Sequence, residues 1–382
     1  MILYLSSATA YSVYDDLLEK KIIKSGYQAQ KFNHTLIKGL SASDKVICVS
    51  ALPYEDVKVG PIFFASENCE FHCVGNARGI FRKIKRLFSV KRLSERIIKK
   101  QRPDFILCDA VLAPASIAAV KLGKKYKIPT IAIVTDIPEA FVQSGMGGLT
   151  GKIVSGYMKK YDGYVLLTER MNAAVNPCAK PYLVVEGICD PVLDIAQIPT
   201  DKETIVYTGS LWKDDAGLEY FTRGFLDADI PDTELLFYGT GDFVPELEKI
   251  SKAHKNVRYM GLVPNSEIVK VQKSASLLVN PRPTDKKFTE YSFPSKTLEY
   301  MSSGTPVLMT KLKGVPDEYF DFVYTIDEET SSGVEKALKE FFAIPKDVRN
   351  DFGKRAKEFV DTEKNAVVQS KKILDFLKGN FY

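Results

Sequence analysis

Short apolar runs alternate with longer amphipathic stretches along this chain, and that rhythm admits few architectures. Strand-like runs fall at residues 2–5, 46–49, 61–65, 71–74, 105–108, 130–134, 164–167 and 182–185, with helical periodicity at 11–25 and 114–126. The pattern then repeats. Runs at 204–207, 234–238, 257–260, 276–279 and 307–309 alternate with helical stretches at 216–225, 245–253, 266–273 and 295–303. Strand–helix alternation predicts parallel sheets with helices on both faces. At 382 residues the chain exceeds one such domain. Residues 188–202, ICDPVLDIAQIPTDK, hold three acids and two prolines and show no period. They read as a linker between doubly wound α/β domains at 1–187 and 203–360. Residues 361–382 read as a C-terminal helix packing near the N-terminal domain. Two such domains facing each other form a cleft at the carboxyl ends of their strands, where open α/β sheets bind ligands.

Charge divides the chain unevenly. Residues 1–180 carry 27 Lys/Arg and 15 Asp/Glu, a net +12, and the remainder is −7. Most of the excess lies in RGIFRKIKRLFSVKRLSERIIKKQR, residues 78–102, with eleven basic residues and one acid, Glu95. Ile80, Ile84, Leu87 and Phe88 share one helical face, and Leu93, Ile97 and Ile98 form a second patch. The phase slips near Ser89, as two helices would. A basic amphipathic segment suits an anionic membrane surface. The same segment, packed on a sheet with its charges in water, has no partner at all. Nucleic acid is not expected, because no recognised binding motif accompanies the basic run. The opening MILYLSSATAYSVYDD reads as a buried first strand, not a secretory signal. No apolar run approaches the ~20 residues of a membrane span. The expected setting is cytoplasmic, peripheral on the inner membrane face if residues 78–102 bind it. Six scattered cysteines then read as reduced thiols. Cys69, His72 and Cys73 cluster, but nothing completes a four-ligand metal site.

The most informative stretch is residues 279–309, VNPRPTDKKFTEYSFPSKTLEYMSSGTPVLM. A strand ends at Asn280, a Pro-rich loop follows, and Ser292-Phe293-Pro294-Ser295 opens a helix. Ser292 suits a cap and Pro294 an early helical position. Amide groups at a helix start, with the macrodipole, favour an anion. Lys296 in the first turn and Arg282 on the preceding loop add full charges. Glu299, one turn on, suits the two hydroxyls of a ribose. The set fits a nucleoside diphosphate.

FPSKTLEYMSSGTPVL also resembles the donor-binding signature of bacterial group 1 (family 4) glycosyltransferases with the GT-B fold. IVYTG at 205–209 resembles the first glycine loop of their donor domain, LFYGTG at 236–241 the second, and YMGLVP at 259–264 the loop holding the nucleobase. The resemblance covers residues 204–324 well, and the first half by architecture alone. It implies a GT-B fold: two doubly wound Rossmann-like domains facing across a cleft. It implies donor contacts at Gly209, Ser210, Lys213, Gly239, Gly241, Leu262, Val263, Glu290, Tyr291, Ser292, Phe293, Pro294, Ser295 and Glu299. Lys296 and Arg282 are its catalytic charges. It further implies a metal-independent transferase that retains anomeric configuration, with a UDP-sugar as co-substrate and no other cofactor. The resemblance also implies that the leaving phosphate helps take the acceptor's proton. The chain departs from the family pattern. Many members carry a glutamate eight positions before the one matching Glu299, where this chain has Tyr291, with Glu290 one earlier. Many carry Arg and Lys where Ser210 and Ala216 stand. The phosphate charge then falls to Lys296, Arg282 and Lys213. Asp227-Ala228-Asp229 reads as a solvated helix end, not a metal-binding triplet.

On the acceptor side, Asp136 ends the strand at 130–134 and suits a general base or hydroxyl anchor, or a turn cap. SGMGGLTG at 144–151 suits a mobile lid through Gly145, Gly147 and Gly148. Ser7 follows the first strand, where relatives carry a glycine pair. His34, His72 and His254 lack partners at triad spacing. The function expected is a glycosyltransferase of cell-surface polysaccharide synthesis, acting on a saccharide or lipid-linked saccharide. The alternatives are a GT-B-type nucleotide-sugar epimerase and a non-catalytic nucleotide-sugar-binding partner of a transferase.

Overall fold

The computed structural model describes residues 1–24, 27–79, 81–137, 148–190, 202–214 and 216–382. The chain forms two compact units, Met1–Ile188 with Ala366–Tyr382, and Cys189–Asn365.

Unit one runs β1 (Ile2–Ser6), α1 (Tyr11–Glu19), α2 (Tyr27–Ser41), β2 (Val46–Ser50), β3 (Ile62–Ser66), β4 (Cys69–Cys73), α3 (Arg82–Gln101), β5 (Phe105–Asp109), α4 (Ala113–Tyr126), β6 (Thr130–Val134), α5 (Gly148–Met158), β7 (Gly163–Leu166), α6 (Glu169–Val175) and β8 (Tyr182–Val184). Its eight strands order as β3-β4-β2-β1-β5-β6-β7-β8. All pairs are parallel except β3 with β4. That pair departs from the all-parallel expectation because only Glu67 and Asn68 join the two strands. A two-residue turn closes an antiparallel hairpin, whereas a parallel pair needs a crossover. The helix expected over 11–25 stops at Glu19. Lys21 turns the chain at a φ of +53°, and Ile23 then bridges Tyr54. Residues 82–101 form one continuous helix, so the slip near Ser89 does not separate two.

Unit two runs β9 (Glu203–Ser210), α7 (Leu218–Ala228), β10 (Thr233–Thr240), α8 (Val244–Ala253), β11 (Val257–Gly261), α9 (Asn265–Ser274), β12 (Leu277–Asn280), α10 (Ser295–Ser303), β13 (Val307–Thr310), β14 (Tyr324–Ile326), α11 (Ser331–Ala343) and α12 (Lys346–Glu363). Its six parallel strands order as β11-β10-β9-β12-β13-β14. Counted from β9, the order is 3-2-1-4-5-6, with its reversal between β9 and β12. In open parallel sheets the crevice outside that reversal is where ligands sit.

Each unit has its own core. In unit one Ile2, Tyr4, Val46, Phe105 and Ile131 meet Ile373, Leu374 and Leu377 of α13 (Ala366–Phe381). In unit two Ile205, Phe221, Phe237, Leu277 and Phe341 pack together. Among the described residues no helix is long and apolar enough to cross a membrane.

Candidate donor site at the strand reversal of unit two

The site is built where β9 ends beside β12. Gly209 and Gly239 are register partners at the ends of β9 and β10. Their φ values are +135° and +138°, a region side chains rarely adopt. A Cβ on Gly239 would lie 1.7 Å from the Gly209 carbonyl oxygen, and a Cβ on Gly209 2.3 Å from Lys296 Nζ. The two strand ends thus touch through backbone alone, and the Lys296 amine occupies the space over Gly209.

α10 delivers that amine. Its Tyr300 hydroxyl accepts from the Thr208 amide at 2.9 Å and donates to the Thr208 carbonyl at 3.1 Å. This clamps α10 to β9 one residue before Gly209. The helix begins at Ser295, with Pro294 itself at the cap position and without a side-chain cap bond. Ser292 is therefore not the cap, and Pro294 is not yet helical. The chain is still turning there: Phe293 is buried against Tyr319, at 5.0 Å between ring centres. The Ser292 hydroxyl is buried without a hydrogen-bond partner among the described residues.

Glu299 lies one turn behind Lys296, and Gln272 orients it. Gln272, buried on α9, donates to Glu299 Oε1 at 2.9 Å and to Thr208 Oγ1 at 3.1 Å. Sequence reasoning missed Gln272, because nothing in its surroundings on α9 signals a bond to a residue 27 positions away. Arg282 follows β12. Its guanidinium lies 5.7 Å from the Phe288 ring centre, and its carbonyl accepts from Thr310 Oγ1. Its charge also opposes the burial that pushes the Tyr207 phenol up to about 12.

Other expected residues are placed differently. Lys213 directs its amine to Glu246 at 3.0 Å and Glu219 at 3.9 Å, so its charge is already met by carboxylates. Glu290, at the end of a 3-10 turn, pairs with Lys313 at 2.7 Å, and Tyr291 caps that turn. Ser210 ends β9, and Gly241 follows β10, passing close to the Leu211 carbonyl. Leu262 and Val263 follow β11, where Tyr259 donates to the Gly239 carbonyl at 3.0 Å. Leu262 is strongly exposed. Asp227 and Asp229 are exposed at the end of α7.

In unit one, Asp136 follows β6 and its Oδ1 accepts from the Ile137 amide at 2.9 Å, a cap-like turn. Burial raises its carboxyl pKa against that bond. Ser7 follows β1, and Gly148 opens α5. Gly145 and Gly147 lie outside the described residues. Sequence reasoning also missed Asp109, which ends β5 beside β1. It is buried, accepts from Asn33 Nδ2 at 3.4 Å, and leaves Oδ1 without a partner among the described residues. Burial pushes its carboxyl up to about 6. The clue used for Asp136, an acid closing an apolar run, applied equally to FILCD. Cys69 and Cys73 alternate with His72 along β4; His72 bonds Glu70 at 3.0 Å, and Cys73 donates to Thr9 at 3.3 Å. Among the described residues no three His, Cys, Asp or Glu side chains are grouped to hold a metal ion.

Residues 202–340 match the family model described as glycosyl transferases group 1. Similar solved structures cover the full length. OtsA in its apo form has a TM-score of 0.72 at 10% identity, covering 99% of both chains. A trehalose-6-phosphate protein from E. coli bound with UDP-2-fluoro glucose has a TM-score of 0.70 at 11% identity, covering 99% of both. HepE from Anabaena in complex with UDP has a TM-score of 0.65 at 13% identity, covering 99% of both. No curated protein sequence matches. The fold is GT-B, with two Rossmann-like parallel-sheet domains.

Proposed function

We propose that this chain, with a group 1 glycosyltransferase domain on a GT-B fold, moves a glycosyl group from a UDP-sugar to a saccharide or lipid-linked saccharide acceptor. The observation that carries the reading is the Lys296 amine held over Gly209 at the strand reversal, with Glu299 oriented one turn behind. The amine and the first amides of α10 meet the diphosphate, and Arg282 adds charge. The buried Ser292 hydroxyl is a ready donor to a phosphoryl oxygen. Glu299 accepts from the ribose hydroxyls, Leu262 and Val263 lie under the base, and Tyr291 and Glu290 border the sugar.

In the transfer, the bond from the anomeric carbon to the diphosphate oxygen breaks and its electron pair stays on that oxygen. The acceptor oxygen bonds the same face of the carbon, with retention. Its proton passes to the leaving phosphate. Positive charge aimed at the leaving oxygens stabilises the transition state. Side chains and amides supply it, in place of a metal. UDP bound in HepE, and UDP-2-fluoro glucose in the E. coli structure, favour uridine as the base. Assembly of a cell-surface polysaccharide is the role we assign.

The pairing of Lys213 with Glu246 removes one cation from the expected phosphate set, and favours as second reading a nucleotide-sugar-binding partner without transfer. Thermal shift with UDP and UDP-sugars, followed by product analysis, separates the possibilities. Stabilisation by UDP with a glycosylated product supports transfer. Stabilisation with no product supports the binding partner, and a free epimerised sugar nucleotide supports an epimerase. A ligand at 100 times its Kd adds ~2.7 kcal/mol, so an unchanged Tm with UDP at that level would overturn the donor site.

A further inference from the structure

α3 carries apolar side chains on two opposite sides. Val90, Ser94, Ile97 and Ile98 are buried where the helix packs on α4 and β2. The outer side holds Ile84 and Phe88 at 53% and 65% exposure, and Phe81 at 62% directly ahead of the helix. Spacings of three and four residues align these three. The phase slip in the sequence is therefore one helix changing its apolar side, inward at one end and outward at the other.

The outer side is also basic. Lys85, Arg92, Arg96 and Lys99 are exposed along it at the same spacings. The single acid of the helix does not offset them. Glu95 accepts from Lys125 at 2.5 Å and Tyr126 at 2.7 Å, which hold its carboxyl down to about 2. Inward cations, by contrast, serve packing: Arg86 donates to Asn76 at 2.9 Å and lies over the Tyr54 ring.

We propose that this outer side of α3 docks unit one on an anionic lipid bilayer. Three large apolar side chains in water are unfavourable unless something covers them. A fringe of cations selects a negative surface, each contributing about fivefold to partitioning. A helix of this kind lies in the plane of the interface, its aromatic and aliphatic groups at the headgroup boundary. A second copy of the chain would bring the same positive side and be repelled. Nucleic acid would use the cations but leave Phe81, Ile84 and Phe88 uncovered. The inference is independent of the transfer reading, since either can fail while the other stands.

The test is flotation of the full chain with vesicles of phosphatidylcholine alone or mixed with phosphatidylglycerol. The expected result is recovery with the mixed vesicles, little with the neutral ones, and a decline as salt rises. A Phe81→Ser, Ile84→Ser, Phe88→Ser variant should lose recovery while its melting temperature holds, because all three side chains are exposed. Lys85→Glu with Arg92→Glu should reduce partitioning more than about tenfold. Lys252→Glu, on unit two, should leave it unchanged. Equal recovery on neutral vesicles, no recovery, or unaltered recovery of both α3 variants would overturn the proposal. So would wild-type chains that sediment as dimers without binding vesicles, with the serine variant monomeric.

Discussion

An alanine at position 209 would place its Cβ 2.3 Å from Lys296 Nζ, at a φ of +135°. The amine can swing aside, so we expect Gly209→Ala to cost ~1–3 kcal/mol of stability from backbone strain and to weaken UDP binding. At Gly239 the obstacle is the Gly209 carbonyl, which cannot swing. Gly239→Ala should therefore destabilise the chain more than Gly209→Ala does, as urea unfolding will read directly. Lys296→Ala should lower kcat by ~10²–10³ with the fold intact, the range for removing one group aimed at developing charge. Steady-state kinetics beside circular dichroism checks this; wild-type turnover in that variant would remove Lys296 from the chemistry. Asp109 makes a prediction about pH. Its carboxyl titrates near 6 in the folded chain, above the ordinary 3.8. Between these values the folded state holds a proton that the unfolded state has lost. Asp109's contribution to stability is thus full below about pH 4, falls by about 3 kcal/mol as pH rises to about 6, and is level above. Asp109→Asn should abolish that slope in melts recorded from pH 4 to 7.

At the scale of elements, the Tyr300 phenol clamps α10 to β9. Tyr300→Phe leaves the Thr208 amide and carbonyl without that partner in a buried place, and should cost ~1–3 kcal/mol. Chemical denaturation measures the loss, and UDP affinity should fall with it as the helix start loosens. Most elements here were legible in the sequence, because burial on one or both faces leaves a period that the residues carry themselves. The helix at 295–303 and the strand at 130–134 have the expected bounds. Where reading failed, a tertiary contact or a short turn had decided. Residues 11–25 kept a helical period past the point where Ile23 was needed beside Tyr54. The β3–β4 hairpin followed from two turn residues, not from the alternation around them. The cap at Ser292 failed because the chain is still turning at Phe293, packed on Tyr319, and the cap falls two residues later at Pro294.

For the whole molecule, the last helix belongs with the first unit. Ile373, Leu374 and Leu377 of α13 sit in the core that Ile2, Leu36 and Leu40 share. Ending the chain at Asn365 would expose that core, so unit one should lose its cooperative unfolding transition while unit two keeps its own. Calorimetry should show one transition in place of two, and limited proteolysis should cut within residues 1–188 first. A truncated chain that retained both transitions would mean α13 adds little. The charge division follows the same boundary, with the positive excess in unit one, where α3 presents it outward.

The residues alone carried the strand–helix alternation of both units, save the antiparallel β3–β4 pair, the helix that bears Lys296 and Glu299, and the glycines at the strand ends. Each is a local matter of period, backbone freedom or helix chemistry. Which charges are spent elsewhere and which are aimed depended on how the elements pack. Lys213 turned to Glu246, Gln272 reached Glu299, Asp109 lost its water, and α3 kept three apolar side chains outside. The reason is physical. A contact between residues far apart in the chain depends on how elements pack, and spacing along one element carries no record of what the neighbouring element brings to it.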